Sequence, residues 1–356
     1  MTSTRKPPIQ WDWGTAYDLF ASLHVLHHPE KFGLRGSWAA GVRSRLTAPQ
    51  RTILEDSQKL FFSSPIAWVS SLPEPRDAAT VLWSLGQLEP AGRLPALAFH
   101  VDVSHKLLET LQDVLVRCTW TQSDLDSLQA NYPQKEATPC SEELVSVLHW
   151  WSHADEFGER YLAALQAYIA VFFAEEERRI SPYLQQALTR GQELAKQMDF
   201  SHLMVELSQG VKIAALEEAD EVMFVPSYWS TPLVMYDSIV PKHWVVMFGG
   251  RPADVALIPG EIVPDAMLRA LKALSDPTRL LILRYLSGKP QTPSQLAKKL
   301  RLRAPTVIHH LNALRLAGLV YISLEEQEEK RYTVRESAVA DTFESLRKFL
   351  AANSEE

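Results

Sequence analysis

Residues 274–320 read LSDPTRLLILRYLSGKPQTPSQLAKKLRLRAPTVIHHLNALRLAGLV, and this stretch decides the architecture of the C-terminal part of the chain. Just before it, Met267, Leu268, Leu271 and Leu274 recur at helical spacing and give the face of a first helix. Asp276 followed by Pro277 is a helix cap followed by proline at the first helical position, where the missing N–H costs nothing. Leu280, Ile282, Leu283 and Leu286 supply the apolar side of this second helix. Thr292, Pro293 and Gln295 repeat the device with a Thr-x-x-Gln capping box, which opens a third helix through Leu296 and Leu300. A turn at residues 301–304 leads into a fourth helix, with Pro305 tolerated in its first turn. Val320–Leu324 and Arg331–Val334 then read as a hairpin.

Working outward, the chain has 356 residues, enough for two or three domains, with 46% apolar and 22% charged residues in ordinary globular proportion. The net charge of −7 is divided unevenly. Residues 266–320 hold ten Lys/Arg against the single acid Asp276, whereas residues 1–265 hold 21 Lys/Arg against 33 Asp/Glu. All ten tryptophans precede residue 265. A basic module attached to an acidic partner suggests polyanion binding, although a solvated basic face reads the same way on charge alone.

From Trp11 to about Gln209 the pattern is helical. Ser141 stands where a helix starts, with Leu144 in the place of the Glu or Gln of a capping box, and Glu142 and Glu143 charge the first turn. Leu144, Leu148, Trp151, Phe157, Tyr161, Leu165, Tyr168 and Phe172 form an apolar stripe. The apolar run from Tyr161 to Ala174 is broken by Gln166 and falls short of the roughly 20 residues of a membrane span, so no membrane partner is expected. Between Val211 and Ile258 the runs Val222–Val225, Leu233–Tyr236 and Trp244–Phe248, separated by prolines and Gly249-Gly250, read as a small antiparallel meander. Pro259-Gly260 and Pro264 mark a linker. The expected class is mainly α: a helical regulatory domain at 9–209, the meander at 210–260 belonging to it, and a C-terminal domain at 265–350.

The helices and hairpin of that last domain are the parts of a winged helix-turn-helix, a fold that places its second helix in the DNA major groove. The stretch 274–320 resembles the arsenical-resistance-repressor-like (ArsR/SmtB) family of dimeric winged-helix repressors. The matching features are Asp276-Pro277-Thr278-Arg279, Val307-Ile308-His309-His310-Leu311, and Leu314-Arg315 followed by Ala317-Gly318-Leu319-Val320. Residues 11–258 resemble the helical N-terminal region fused to some regulators of that family, on the stretch Pro226-Ser227 to Pro232 and the strands after it.

At about 100° per residue, Val307, Leu311 and Leu314 share the inward face of the fourth helix, and Thr306, His309 and Asn312 point away from it. Those three are the candidates for base-edge contact. Lys298, Lys299, Arg301 and Arg303 flank the helix as phosphate contacts that set register and affinity. His310 reads more simply as a partly buried hydrogen-bonding residue. The family carries small polar residues where this chain has Pro305 and Ile308, which points either to weak base readout or to apolar contact with thymine methyls. The wing tip, Glu325-Glu326-Gln327-Glu328-Glu329, would repel phosphate and leaves only Lys330 and Arg331 to touch it. After the wing, Val339, Phe343, Leu346 and Leu350 are spaced 4, 3 and 4 apart, and the resemblance implies that this terminal helix pairs with its twin in a homodimer.

No cofactor or metal is expected. The resemblance implies two metal positions, but Gln291–Gln295 carries no thiol and the terminal helix, with Asp341 and Glu344, carries no histidine. His149, His153 and Glu156 could hold zinc, although packed or surface histidines explain them as well, and His24, His27 and His28 end a helix whose dipole suits imidazolium. Cys118 and Cys140 are too few for a disulfide framework, which with no secretory signal suggests a cytoplasmic protein. Trp150, Trp151, Tyr228 and Trp229 are the candidate pocket for a small-molecule effector, against the plainer reading of ordinary core. No catalytic constellation is present in the sequence, so an enzyme is not expected. Two readings stand: a dimeric regulator of transcription, more a repressor than an activator, binding double-stranded DNA under control of its N-terminal domain; or a protein-interaction scaffold whose winged helix has lost DNA specificity.

Overall fold

The computed structural model describes residues 7–34, 36–61, 65–98, 104–132, 140–252, 255–257, 263–324 and 329–351. The linker at Pro259-Gly260 and the wing-tip residues Glu325 to Glu328 lie outside these. The chain is mostly helical with two small sheets. In order it forms β1 (Ile9–Trp11), α1 (Thr15–His27), α2 (Gly36–Arg43), α3 (Ala48–Leu60), α4 (Ile66–Ser70), α5 (Ala78–Gln87), α6 (Pro90–Ala98), α7 (His105–Arg117), α8 (Gln122–Asn131), α9 (Ser141–Ser152) and α10 (Ala154–Tyr168). A π-helical turn, Ile169–Phe173, joins α10 to α11 (Ala174–Gln197). There follow α12 (Phe200–Leu207), β2 (Val211–Ile213), α13 (Ala214–Glu217), β3 (Glu221–Ser227), β4 (Met235–Val240) and β5 (His243–Gly249). The chain ends with α14 (Asp265–Leu274), α15 (Pro277–Leu286), α16 (Pro293–Leu300), α17 (Ala304–Leu316), β6 (Val320–Leu324), β7 (Arg331–Val334) and α18 (Glu336–Ala351). Two compact units result, the first made of residues 1–11, 183–234 and 247–356, the second of 12–182 and 235–246.

In the second unit α10 packs against α6 and α3. Gly158 makes the closest approach: a Cβ there would lie 2.0 Å from the carbonyl oxygen of Pro90. Phe157 and Tyr161 stack one turn apart on α10 with ring centroids at 5.4 Å, and both are fully buried, as the stripe requires. Arg93 is buried among them yet satisfied, donating to the carbonyls of Leu85 and Gly158. The start of α9 corrects the sequence expectation. Its cap is Cys140, not Ser141, which moves the third helical position onto Glu143, and the Glu143 carboxylate accepts the Cys140 N–H at 3.1 Å. A capping box therefore exists one residue earlier than the side-chain types suggested.

His24 sits at the end of α1, its ring 4.7 Å from His28 and edge-on to Phe32. Burial pushes its pKa down to about 4, and the neighbouring charge of His28 adds to the effect. The unfolded chain, with an ordinary histidine near 6.5, takes up the proton first. Stability is thus intact above that value, falls as the pH drops below it, and stops falling once the folded pKa is passed. Urea denaturation should show a loss of about 2 kcal/mol between roughly pH 7.5 and roughly pH 5 from this group. His24→Phe should remove that part of the slope; a variant as acid-sensitive as the parent would mean that His24 is not its source.

The four-stranded sheet has the order β1-β3-β5-β4. The runs expected as an antiparallel meander overlap its β3, β4 and β5, the second only at Met235 and Tyr236 because β4 continues to Val240, and two further differences stand out. β5, not β4, lies beside β3, because Pro241 and Lys242 (φ 64°) close a tight turn between β4 and β5, while the longer connection before β4 carries that strand to the outside. And β1 pairs in parallel with β3, Ile9 opposite Val222 and Trp11 opposite Phe224. Trp11 anchors it, with its ring 5.5 Å from Phe224 and 6.1 Å from Phe248. Gly191 of α11 admits this ring, since a Cβ there would come within 2.8 Å of it.

The C-terminal elements follow the sequence closely. The Arg279 N–H donates to Asp276 at 2.9 Å, and Thr292 and Gln295 cap each other at 3.2 and 3.0 Å. Ile282, Leu286, Leu296, Val307, Leu311, Leu314 and Leu319 are fully buried and form the core of the module, each such side chain worth about 1.5–3 kcal/mol. β6 and β7 pair antiparallel from Val320 opposite Val334 to Ser323 opposite Arg331. One feature had no sequence signal: β2 adds a third strand, parallel to β6, with Val211 opposite Ile322 and Ile213 opposite Leu324. Gly210 makes this possible. It has φ +108°, its carbonyl accepts the Ile322 N–H at 2.7 Å, and a Cβ on it would lie 2.4 Å from the Tyr321 ring.

Candidate nucleic-acid interface

α16 and α17 pack together across a sharp turn in which Arg301 adopts the left-handed conformation (φ 56°) and the Leu302 N–H closes onto the Ala297 carbonyl. That reversal leaves one face of α17 outside. Val307, Leu311 and Leu314 are buried, while Thr306, His309 and Asn312 are exposed together with Pro305 and Ile308. Hydroxyl, imidazole and carboxamide groups thus stand in a row at spacings of three residues, each able to donate and accept. Ile308 places an apolar surface beside them.

The flanking cations differ in their freedom. Lys298, Arg301 and Arg303 are exposed and have no ion pair among the described residues. Lys299 is engaged internally: its Nζ donates to Gln291 at 3.0 Å and lies 5.2 Å from the Tyr285 ring. Lys330 is exposed and Arg331 half-buried on the wing. His310 is half-buried with Nδ1 at 3.8 Å from Asp276, too long for a hydrogen bond. The Arg279 N–H holds the Asp276 carboxyl below the usual carboxylate range, and the charges of Arg279 and His310 add to this.

Of the acidic wing tip only Glu329 is described, and although exposed it is bound back to α16. Its carboxylate accepts from the Ser294 hydroxyl at 2.6 Å and the Ser294 N–H at 3.1 Å, in the first turn of α16. Those bonds hold its pKa below the usual range, the hydroxyl first among them. This acid caps a helix, a role that its place in a run of glutamates concealed.

On α18, Val339 and Leu346 are half-buried, whereas Phe343 is 56% and Leu350 64% exposed. Leu268, Leu271 and Leu274 on α14 are likewise only half-buried. The candidate effector residues are packed. Trp150 donates to Asp56 at 3.1 Å, Trp151 is fully buried, Tyr228 donates to the Ala256 carbonyl at 2.9 Å, and Trp229 is 1% exposed. The rings of His149 and His153 lie 4.6 Å apart, tilted by 37°, and Glu156 pairs with Arg160 at 2.7 Å. Cys118 and Cys140 are exposed free thiols. Among the described residues no helix is long and apolar enough to cross a membrane.

Residues 276–321 match the family model described as "Bacterial regulatory protein, arsR family". The transcriptional repressor SdpR of Bacillus subtilis is 39% identical over 54 residues, 15% of this chain and 60% of that protein. The HTH-type transcriptional regulator CmtR of Mycobacterium tuberculosis is 39% identical over 80 residues, 22% of this chain and 67% of that one. A solved ArsR-like transcriptional regulator from Rhodococcus sp. RHA1 is 32% identical, with a TM-score of 0.22, covering 24% of this chain and 79% of its own. The relatives and the solved structure named here each cover a quarter or less of the present sequence.

Proposed function

Since the chain belongs to the ArsR family of bacterial regulatory proteins, we propose that it is a dimeric regulator of transcription, a repressor, that binds double-stranded DNA through α17. The observation that carries this reading is the exposed row Thr306, His309 and Asn312, backed by the buried Val307, Leu311 and Leu314 and flanked by Lys298, Arg301 and Arg303, which have no ion pair among the described residues. In this reading the row meets base edges in the major groove and the cations hold phosphates. Glu329, tied to α16, keeps one negative charge of the wing off the DNA backbone, so Lys330 and Arg331 can approach it. The exposed Phe343 and Leu350, with the half-buried leucines of α14, form the apolar surface on which a second copy pairs, and a two-fold dimer would read two half-sites. The upstream region adjusts DNA affinity by binding a ligand or partner.

Fluorescence anisotropy with the DNA upstream of the protein's own coding sequence, beside a scrambled duplex, tests this. The upstream duplex should bind more tightly, and His309→Ala should narrow the preference by about tenfold, the worth of one good base contact. Arg303→Ala should weaken both duplexes alike. Equal, weak binding to both duplexes, with random genomic fragments no better, would favour the scaffold reading, in which α17 is a protein-binding surface.

A further inference from the structure

Within the first unit lies a cavity of about 470 Å³, in the range of small-molecule sites. It is lined by residues of α11, by Gly249-Gly250-Arg251 after β5, by α14, by the end of α17 and by α18. Much of the lining is apolar, including Leu194, Phe248, Met267 and Leu316. The charged lining is unbalanced: Arg190, Arg251, Arg269 and Arg335 against Glu206 and Asp341. Arg190 is 3.5 Å from Glu206, and the buried Arg251 is 3.7 Å from Asp265 while donating to the carbonyls of Thr231 and Val255. The Arg335 guanidinium has neither an ion pair nor a hydrogen bond among the described residues.

The geometry points to a site for a small organic anion, a monocarboxylate with an apolar body, whose carboxylate pairs with Arg335 while the body lies against Phe248, Met267 and Leu316. A planar guanidinium takes a carboxylate through two parallel hydrogen bonds, and an apolar surround strengthens that pair. A single unengaged cation in a largely apolar wall suits one negative charge better than a phosphate dianion. The position also suggests what the ligand does. Leu316, Ala317 and Gly318 end the helix proposed to face DNA, Arg335 follows β7, and Ala338, Asp341 and Ser345 belong to the helix proposed to pair. Occupancy would couple those elements, so this is the effector class of the regulator proposed above. The effector role rests on that reading; the binding itself does not.

Isothermal titration calorimetry of the full chain, without DNA, decides the binding. The probes are octanoate, phenylacetate, the two matching amides and inorganic phosphate. At least one acid should bind once per chain, and its amide about tenfold or more weaker, for want of the charge-assisted bond. Arg335→Gln, which breaks no internal bond, should abolish the difference between acid and amide, and Arg335→Lys should restore part of it. Ala338→Phe should exclude acid and amide together. The site is overturned if neither acid binds at millimolar concentration, if acid and amide bind equally, if Arg335→Gln binds the acid as the parent does, or if phosphate is preferred. Anisotropy with and without the acid then tests the role: an acid that binds and leaves DNA affinity unchanged overturns it. A chain that binds no DNA at all defeats the regulator reading and leaves the calorimetric result standing.

Discussion

Raising the salt from roughly 0.05 M to roughly 0.2 M is expected to weaken duplex binding by about a thousandfold. The cations that count are those with no other partner among the described residues. Lys298, Arg301 and Arg303 are exposed and unpaired among the described residues, whereas Lys299 is spoken for by Gln291 and Tyr285. In a dimer those three become about six phosphate contacts, and each released counterion contributes about −0.9 to the slope of log affinity against log salt. The slope should therefore be near −5. Replacing all three by glutamine keeps the backbone demand at Arg301 unchanged and should flatten the slope to what the wing supplies. Lys348→Gln, on α18 beside Glu344, should leave it as it was. A slope near zero in the parent protein would remove the basis for DNA binding, and one near half the expected value would mean that a single copy engages.

Gly210→Ala is the second large effect, a loss of about 3 kcal/mol in unfolding free energy. Two costs combine. The backbone there has φ +108°, which side chains rarely adopt, and the new methyl group would lie 2.4 Å from Tyr321 Cδ1 and 3.2 Å from its Cα. The ring can swing aside, but the Cα cannot without moving β6. Gly288→Ala is the matched control, since a Cβ there meets nothing within 4 Å. Chemical denaturation of both variants checks this; if Gly210→Ala were as stable as Gly288→Ala, the pairing of β2 with β6 would not be holding the wing.

What could be read from the chain divides along the range of the interactions. The caps at Asp276 and Thr292 are closed by partners three residues away, so their side chains announce them. The outward row on α17 follows from helical period alone, and its burial pattern agrees with that period. The strands β1 and β2 are different in kind. Each is three residues long, too short for alternation to register, and each finds its partner far along the chain, Ile9 at Val222 and Val211 at Ile322. Such pairings are decided by the tertiary fold. The cap at Cys140 was missed because a thiol is not among the usual capping side chains, and Glu329 because one residue in a run of acids looks like the rest. The cavity, assembled from seven separate stretches, leaves no local trace.

The third strand on the wing sheet also bears on how the protein can be handled and how it could have been assembled. A family match confined to residues 276–321 invites cutting the chain before α14 and expressing the remainder alone. In that fragment β6 would lose β2 from one side, leaving the backbone groups of Ile322, Ser323 and Leu324 open along a strand whose neighbours are apolar. Open edges of this kind recruit other chains, so the excised module should aggregate beyond the dimer proposed above, where the full chain should not. The strand joins two stretches of sequence that look separable into one inheritable piece: a recombination event that carried off the helix-turn-helix without residues 211–213 would deliver a wing with an unprotected side.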